Sequence, residues 1–131
     1  GRCLKEQVRG VKVVLADPVG SGLAEWVESG RIGADGSYAV EGIGGSEAPA
    51  NLHRAVIDAA ERVRDEESFA TTLRLIREEG LLVGGSAGTN VAAALRVAAR
   101  GDVDGPVVTV LPDSWDRYRS KPWMCAWGGE G

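Results

Sequence analysis

A short apolar run that leads into closely spaced glycines constrains the fold of this chain more than any other feature. The Leu-Leu-Val run at 81–83 is followed by Gly-Gly-Ser-Ala-Gly at 84–88, and the alanine-rich stretch at 89–100 is apolar on nearly every side. This order predicts a short buried strand, a glycine loop and a helix packed inside the domain. In α/β folds built from such units, ligands bind beyond the carboxyl ends of the strands.

Further apolar runs and helical periodicities alternate along the chain. Short, mostly apolar runs predict strands at 11–16, 38–40 and 107–111. Helical spacing predicts helices at 2–9, 51–60 and 65–80, with Asp65 as the N-cap of the last. A short helix or an excursion is expected at 23–29, and a further short helix is expected up to Ser120. Because apolar strands alternate with helices, the predicted fold class is α/β, layered around a mostly parallel sheet.

Composition limits the class of protein. The 131 residues suit one domain, predicted at 1–127, followed by a flexible Gly-Gly-Glu-Gly tail at 128–131. A net charge of −4 offers no attraction for phosphate backbones, so nucleic-acid binding is not expected. No apolar run approaches the roughly 20 residues that span a bilayer. Cys3 and Cys125 show neither metal-binding spacing nor a disulfide framework, which favours a reducing cytoplasm and predicts no metal site.

Ser86 is the strongest candidate for a binding residue. A helix N-terminus after a glycine loop offers free N–H groups and a partial positive charge, so the Ser86 hydroxyl could bind a ligand there. Ser86 or Thr89 could also simply cap the helix, and the pattern alone does not separate these interpretations.

Two other loops are weaker candidates. The Gly-Ile-Gly-Gly segment at 42–45 could line a pocket or form a structural turn, and Asp113 could bind a ligand or cap a helix. Asp17, which follows the strand at 11–16, could contact a ribose in a nucleotide-binding half-domain. That interpretation is weak because no Gly-x-Gly-x-x-Gly precedes it.

Five motifs occur in a fixed order along residues 2–121. They are Arg-x-Leu-Lys-Glu at 2–6, Val-Val-x-Ala-Asp-Pro-x-Gly-Ser at 13–21, Val-Glu-Gly-Ile-Gly at 40–44, Glu-Gly-Leu-Leu-Val-Gly-Gly-Ser-Ala-Gly at 79–88, and Leu-Pro-Asp-Ser-x-x-Arg-Tyr-x-Ser-Lys at 111–121. Together they resemble the pyridoxal-phosphate-dependent β-replacement enzymes of fold type II, the family of cystathionine β-synthase and cysteine synthase. The resemblance implies a three-layer, tryptophan-synthase-β-like fold, pyridoxal 5′-phosphate (PLP) as cofactor, and replacement of the β-substituent of serine or an O-activated serine by a thiol.

The resemblance also implies roles for five residues. Ser86 matches the serine that hydrogen-bonds the cofactor's pyridine nitrogen, and Gly42 and Gly44 match a glycine pair that lines the cofactor and substrate cleft. Pro112 and Asp113 match the loop that closes over the ring-nitrogen side. No residue of this chain matches a catalytic residue. A neutral hydroxyl does not keep the ring nitrogen protonated, which moderates the cofactor's electron withdrawal.

Only the C-terminal part of the family's catalytic fold is covered. The family's phosphate-binding Gly-Thr-Gly-Gly-Thr loop and its Schiff-base lysine lie upstream of Gly1. We therefore expect an incomplete fold that is inactive alone, completed by an N-terminal half and dimeric as a full-length enzyme acting on an amino acid. A non-catalytic pseudoenzyme or interaction subunit is the alternative. After Gly44 the family continues with an aromatic residue, whereas this chain has Gly45-Ser46-Glu47, so the thiol is left unassigned.

Overall fold

The computed structural model describes residues 1–125. This part of the chain divides into two compact units, one formed by residues 1–38 and 43–62, the other by residues 39–42 and 63–125. The predicted domain boundary at 127 and the predicted tail at 128–131 lie outside the described residues.

The first unit is a small α/β unit. Its elements are helix α1 (Arg2–Gln7), strand β1 (Val14–Pro18), helix α2 (Leu23–Ser29), a 3-10 turn (Arg54–Val56) and strand β2 (Ala59–Val63), whose last residue is assigned to the second unit. The two strands are neighbours in a small parallel sheet. Gly30 ends α2 in the left-handed region, with φ 82°, a conformation that glycine adopts without strain.

The second unit is built on two helices that pack closely against each other. Its elements are α3 (Asp65–Glu79), α4 (Gly85–Ala99), a 3-10 turn (Trp115–Tyr118) and α5 (Pro122–Cys125). A Cβ built on Gly88 would lie 2.0 Å from the carbonyl oxygen of Ser68 and 2.3 Å from Oγ1 of Thr72. Only glycine lets the two helices approach this closely. The hydroxyl of Thr89 donates a buried 2.8 Å hydrogen bond to Oγ of Ser68 across the same contact.

An aromatic cluster holds the segment after residue 114 against α3. The rings of Phe69 and Trp123 stack with centroids 4.5 Å apart, and Tyr118 lies 5.9 Å from Trp123. Ile76 and Met124 are buried in the same cluster.

Several predicted elements are confirmed. Helices at 2–9, 23–29 and 65–80 appear as α1, α2 and α3, and the turn of helix expected after 113 appears as the 3-10 turn. The strand expected at 11–16 is found as β1, which begins three residues later than expected, at Val14.

Other local predictions are wrong. The helix predicted at 51–60 is replaced by the 3-10 turn and the beginning of β2, because pairing with β1 overrides the helical spacing of the apolar residues. Helix α4 begins at Gly85, so 84–88 is its N-cap and first turn rather than a loop. Asp65 is not an N-cap: its carboxylate accepts hydrogen bonds from the backbone N–H groups of Ala39 and Val40, at 2.7 and 3.2 Å.

Three expected strands are not formed within residues 1–125. The segments 38–40 and 107–111 contain no strand, and at 81–83 only Val83 makes an isolated antiparallel bridge, to Ser114. The side chains of Val108 and Val110 are exposed to 85% and 68%. No described strand lies beside 107–111, and its described contact is a 2.9 Å hydrogen bond from the side-chain amide of Asn90 to the carbonyl oxygen of Val110, which leaves these two valine side chains in solvent.

The part of the chain that the structure describes contains no helix with the length and apolar character needed to cross a bilayer. Within residues 1–125, no three His, Cys, Asp or Glu side chains are grouped so that they could hold a metal ion.

Candidate functional site

Ser86 lies in the first turn of α4. The helix is capped by Gly84, whose backbone is extended, and no side chain makes the capping hydrogen bond. Ser86 is only 4% exposed, and its hydroxyl makes no hydrogen bond to any residue between 1 and 125. Thr89 donates to Oγ of Ser68 and to the carbonyl oxygen of Gly85, and it accepts from none of the free N–H groups at the start of the helix. The capping interpretation of both residues is therefore wrong, and the Ser86 hydroxyl remains available to a ligand beside the free N–H groups of α4.

Helix α3 fixes where α4 begins. The fully buried hydroxyl of Thr72 shares its single hydrogen between the carbonyl oxygens of Ser68 and Gly84, at 3.0 and 3.2 Å. A Cβ on Gly85 would lie 3.1 Å from the ring of Phe69. The role of Thr72 was not predicted from the sequence, although a threonine on the buried face of a helix is a signal that its hydroxyl has a hydrogen-bond partner.

Asp113 lies directly against the N-cap of α4. The backbone N–H of Gly84 donates to the carbonyl oxygen of Asp113 at 3.2 Å, and the hydroxyl of Tyr118 donates to Oδ2 at 2.6 Å. The other carboxylate oxygen, Oδ1, is buried and has no hydrogen-bond partner among the described residues. A Cβ on Gly84 would lie 2.4 Å from this Oδ1, so the carboxylate can occupy its place only because residue 84 is glycine.

The hydrogen bond between Tyr118 and Asp113 has an electrostatic consequence. It raises the pKa of the Tyr118 phenol to about 12, with burial and the charge of Asp113 adding to the effect. The carboxylate accepts from this phenol rather than from a helix N–H, so Asp113 does not act as a helix cap.

Gly42 belongs to the short segment 39–42 of the same unit. Asp65 holds the backbone of this segment through the two hydrogen bonds described above, and Glu41 forms an ion pair with Lys121. The charge of Glu41 also contributes to the raised pKa of Tyr118. The second unit therefore brings together the Gly42 segment, the loop that carries Asp113 and the start of α4. Pro112, in that loop, is exposed.

Gly44 lies in the first unit and forms a turn with φ 77°. A Cβ there would lie 2.7 Å from Cγ of Pro18 and 2.8 Å from the hydroxyl of Tyr38. The next residue, Gly45, donates from its N–H to Oγ of Ser21 at 3.0 Å and accepts from the N–H of Gly22, also at 3.0 Å. The loop after β1 thus determines the path of the glycine turn, a role for Ser21 that sequence analysis did not predict.

Asp17 is fully buried and accepts a 2.8 Å hydrogen bond at Oδ2 from the backbone N–H of Ala24. Burial raises the pKa of its carboxyl. A carboxylate placed in this way supports the start of α2 and is not exposed to a ribose, so the nucleotide-binding interpretation has no support here.

Comparison with known proteins identifies the family. Residues 1–113 match the family model described as "Pyridoxal-phosphate dependent enzyme". The chain belongs to this family. It is 43% identical over 120 residues to mouse cystathionine beta-synthase and 38% identical over 120 residues to Helicobacter pylori cysteine synthase, in each case over 92% of this chain. The predicted family and its cofactor, PLP, are therefore confirmed.

A solved structure agrees with the fold class. The O-acetylserine dependent cystathionine beta-synthase of Helicobacter pylori superposes with a TM-score of 0.77, at 38% identity, over 92% of this chain and 37% of that protein. The fold is accordingly of type II, as predicted. The chain spans only 21% of the mouse protein and 37% of the Helicobacter pylori cysteine synthase.

Proposed function

We propose that this chain forms the part of a PLP-dependent β-synthase that holds the ring-nitrogen end of the cofactor. In this proposal, residues 1–127 are the C-terminal portion of a catalytic domain completed by an N-terminal half. The complete enzyme, a cytoplasmic homodimer, replaces the β-substituent of serine or an O-activated serine with a thiol. The names of the relatives, which include both cystathionine and cysteine synthases, support this class of reaction.

The observation that carries the proposal is Ser86, a residue only 4% exposed whose hydroxyl neither caps α4 nor bonds any described residue. A hydroxyl without a partner among residues 1–125, next to the free N–H groups of a helix start, suits an acceptor atom of a polar ligand. The pyridine nitrogen of PLP is such an acceptor, and Ser86 fits it.

When bound, PLP supplies an electron-withdrawing ring that stabilises the negative charge left when the α-proton of an amino acid is removed. Ser86 would hold the ring nitrogen by a neutral hydrogen bond and supply no charge that keeps it protonated. The partial positive charge at the start of α4 also disfavours a proton on that nitrogen. Gly42 would line the cleft, and the loop of Pro112 and Asp113 would close the ring-nitrogen side.

In the family, the residue that follows Gly44 contributes to the wall of the pocket for the thiol substrate. Gly45 replaces the aromatic residue of the family, and a Cβ built on it would have its nearest neighbour, the carbonyl oxygen of Glu47, at 3.3 Å. With glycine at position 45 the aromatic side chain that walls the pocket in the family is absent, so we propose that backbone, and not an aromatic ring, contacts the thiol substrate here.

The test uses Ser86→Ala and Ser86→Asp in the protein with its complete catalytic fold. We expect Ser86→Ala to weaken cofactor binding about tenfold through loss of one hydrogen bond. Ser86→Asp should shift the visible absorption band, because a carboxylate favours a protonated ring nitrogen. Ser120→Ala, an exposed serine of the same unit, is the control and should change neither property. Unchanged spectra and turnover in both Ser86 variants would contradict the assignment.

A non-catalytic role is the second candidate, and the lysines of this chain favour it for the chain alone. The chain has three lysines, and two of them are held in ion pairs, Lys5 with Asp58 and Lys121 with Glu41, while Lys12 is exposed. Incubation with PLP and serine followed by borohydride reduction separates the candidates. A stable adduct at one lysine of this chain, located by mass spectrometry, would contradict the non-catalytic role.

A further inference from the structure

The segment 39–42 is held within the second unit at two points, and the second point has no role in the cofactor site argued above. At the first, the carboxylate of Asp65 accepts hydrogen bonds from the backbone N–H groups of the first two residues of the segment. At the second, the carboxylate of Glu41 forms an ion pair with the ammonium of Lys121. This ion pair restrains the residue directly before Gly42.

The backbone of Lys121 is itself fixed. Its N–H donates to the carbonyl oxygen of Tyr118, and its carbonyl oxygen accepts from the N–H groups of Met124 and Cys125, each at 2.9 Å. Met124 is buried in the aromatic cluster, and the ring of Trp123 stacks on α3. The ammonium of Lys121 therefore projects from an anchored turn, and a segment that pairs with it is held to the same unit.

Gly42 has a conformation and surroundings that suit a contact with a bound molecule. Its φ is 77°, in the left-handed region that glycine adopts without strain. A Cβ built on Gly42 would meet no atom of residues 1–125 within 4 Å, so the backbone here faces open space. This backbone is accessible to a ligand, and the side chain that restrains it belongs to the neighbouring Glu41.

We propose, on the basis of the proposed function above, that Lys121 is a positioning residue for the amino-acid substrate. Through Glu41 it holds the backbone of Gly42 in the conformation that contacts the substrate, so binding does not have to order the segment. Without the ammonium the segment samples other conformations, and substrate binding is weaker. The side chains of Lys121 and Glu41 are 39% and 55% exposed, and ion pairs of this kind are weak, so the expected effect is a few-fold.

The test is a charge swap in the PLP-loaded protein with its complete catalytic fold. The readout is the dissociation constant of serine without a thiol, measured from the change in the visible absorption band. Lys121→Glu places two carboxylates opposite each other, and we expect about fivefold weaker binding. Lys121→Glu combined with Glu41→Lys restores opposite charges, and binding should return to within about twofold of the wild type.

Arg74→Glu is the control for a general effect of charge. It breaks an exposed ion pair with Glu78 on α3, in the same unit, and should change serine binding by less than about twofold. A loss in this variant as large as that in Lys121→Glu would overturn the proposal.

Hydrogen exchange of a peptide covering 39–42, measured by mass spectrometry without serine, separates positioning from a purely structural role. We expect faster exchange in Lys121→Glu and wild-type exchange in the swapped pair. Faster exchange with unchanged serine binding would overturn the proposal, and so would a swapped pair that binds serine as weakly as Lys121→Glu. If circular dichroism shows that Lys121→Glu does not fold, Lys121→Met replaces it, with an expected loss of about threefold that Lys121→Arg does not show.

Ser86→Ala distinguishes this inference from the proposed function. If Ser86→Ala leaves PLP binding unchanged, the cofactor site itself is wrong and the role of Lys121 falls with it. If Ser86→Ala weakens PLP binding and Lys121→Glu leaves serine binding unchanged, the cofactor site stands and only the role of Lys121 is wrong.

Discussion

Two regions of the second unit have similarly apolar sequences and opposite environments. In the first turns of α4, Ala87 and Thr89 are completely buried. In the segment 107–111, which is Val-Val-Thr-Val-Leu, the side chain of Val108 is 85% exposed. The start of α4 packs on α3, whereas α4 reaches 107–111 through a 2.9 Å hydrogen bond from the side-chain amide of Asn90 to the carbonyl oxygen of Val110 and leaves the side chain of Val108 uncovered.

The difference shows that apolar composition predicts a need for burial but not the presence of a partner. Burying a valine or leucine side chain contributes about 1.5–3 kcal/mol, so an exposed run of this kind gives up a large stabilisation. In our proposal the N-terminal half of the catalytic fold provides the partner for 107–111. The start of α4, by contrast, obtains its packing from within the described chain.

Replacing Gly88 should have the largest effect on the buried region. A Cβ in Gly88→Ala would lie 2.0 Å from the carbonyl oxygen of Ser68, which is backbone and cannot move without separating α3 from α4. We expect a loss of about 3 kcal/mol or more in the free energy of unfolding, measured by urea denaturation.

Gly105→Ala is the control for this variant. A Cβ on Gly105 meets no atom within 4 Å, and the expected change is within about 0.5 kcal/mol. Similar losses in both variants would show that the close helix contact is not what stabilises the unit.

Thr72→Val should have an intermediate effect. The substitution keeps the shape of the side chain and removes the hydroxyl that bonds the carbonyl oxygen of Gly84. We expect a loss of about 1.5 kcal/mol, because a buried acceptor loses its donor. Thr71→Val on the same helix is the matched control, since the Thr71 hydroxyl makes no described hydrogen bond. Equal losses in the two variants would contradict a role for Thr72 in fixing the start of α4.

Val108→Lys should have the smallest effect on the 131-residue chain. Because the Val108 side chain is 85% exposed, we expect a change within about 0.5 kcal/mol in the free energy of unfolding. In the protein with its complete catalytic fold the same substitution should cost about 3 kcal/mol, because it places a charge where the proposed partner packs. A small loss in both proteins would contradict a partner at this segment.

Much of the helical part of the fold could be predicted from local patterns. Helix α3 begins with three acidic residues and ends at Gly80, whose φ of 68° completes the C-cap, and its predicted limits agree with the structure to within one residue. Strand β2 could not be predicted, because its stability depends on pairing with β1, about 40 residues earlier in the chain. Apolar residues at 52, 56, 57 and 60 follow helical spacing equally well, so only this non-local pairing distinguishes strand from helix.

The candidate site could be predicted only in part. The glycines before Ser86 indicated where α4 begins, but sequence alone could not show that they serve close packing at a helix start and not a loop. Ser86, Asp113 and the Gly42 segment were selected through the family resemblance. Tyr118 and Thr72 were missed because their roles arise from contacts with Asp113 and Gly84, which no local pattern encodes.

The stacking of Trp123 on Phe69 can be followed by tryptophan fluorescence. The chain has four tryptophans, so in a variant whose other three are replaced by phenylalanine the emission of Trp123, held face to face with a phenyl ring on α3, reports whether α5 is packed on that helix. Assembly of this region can then be followed by light emission without attaching any dye.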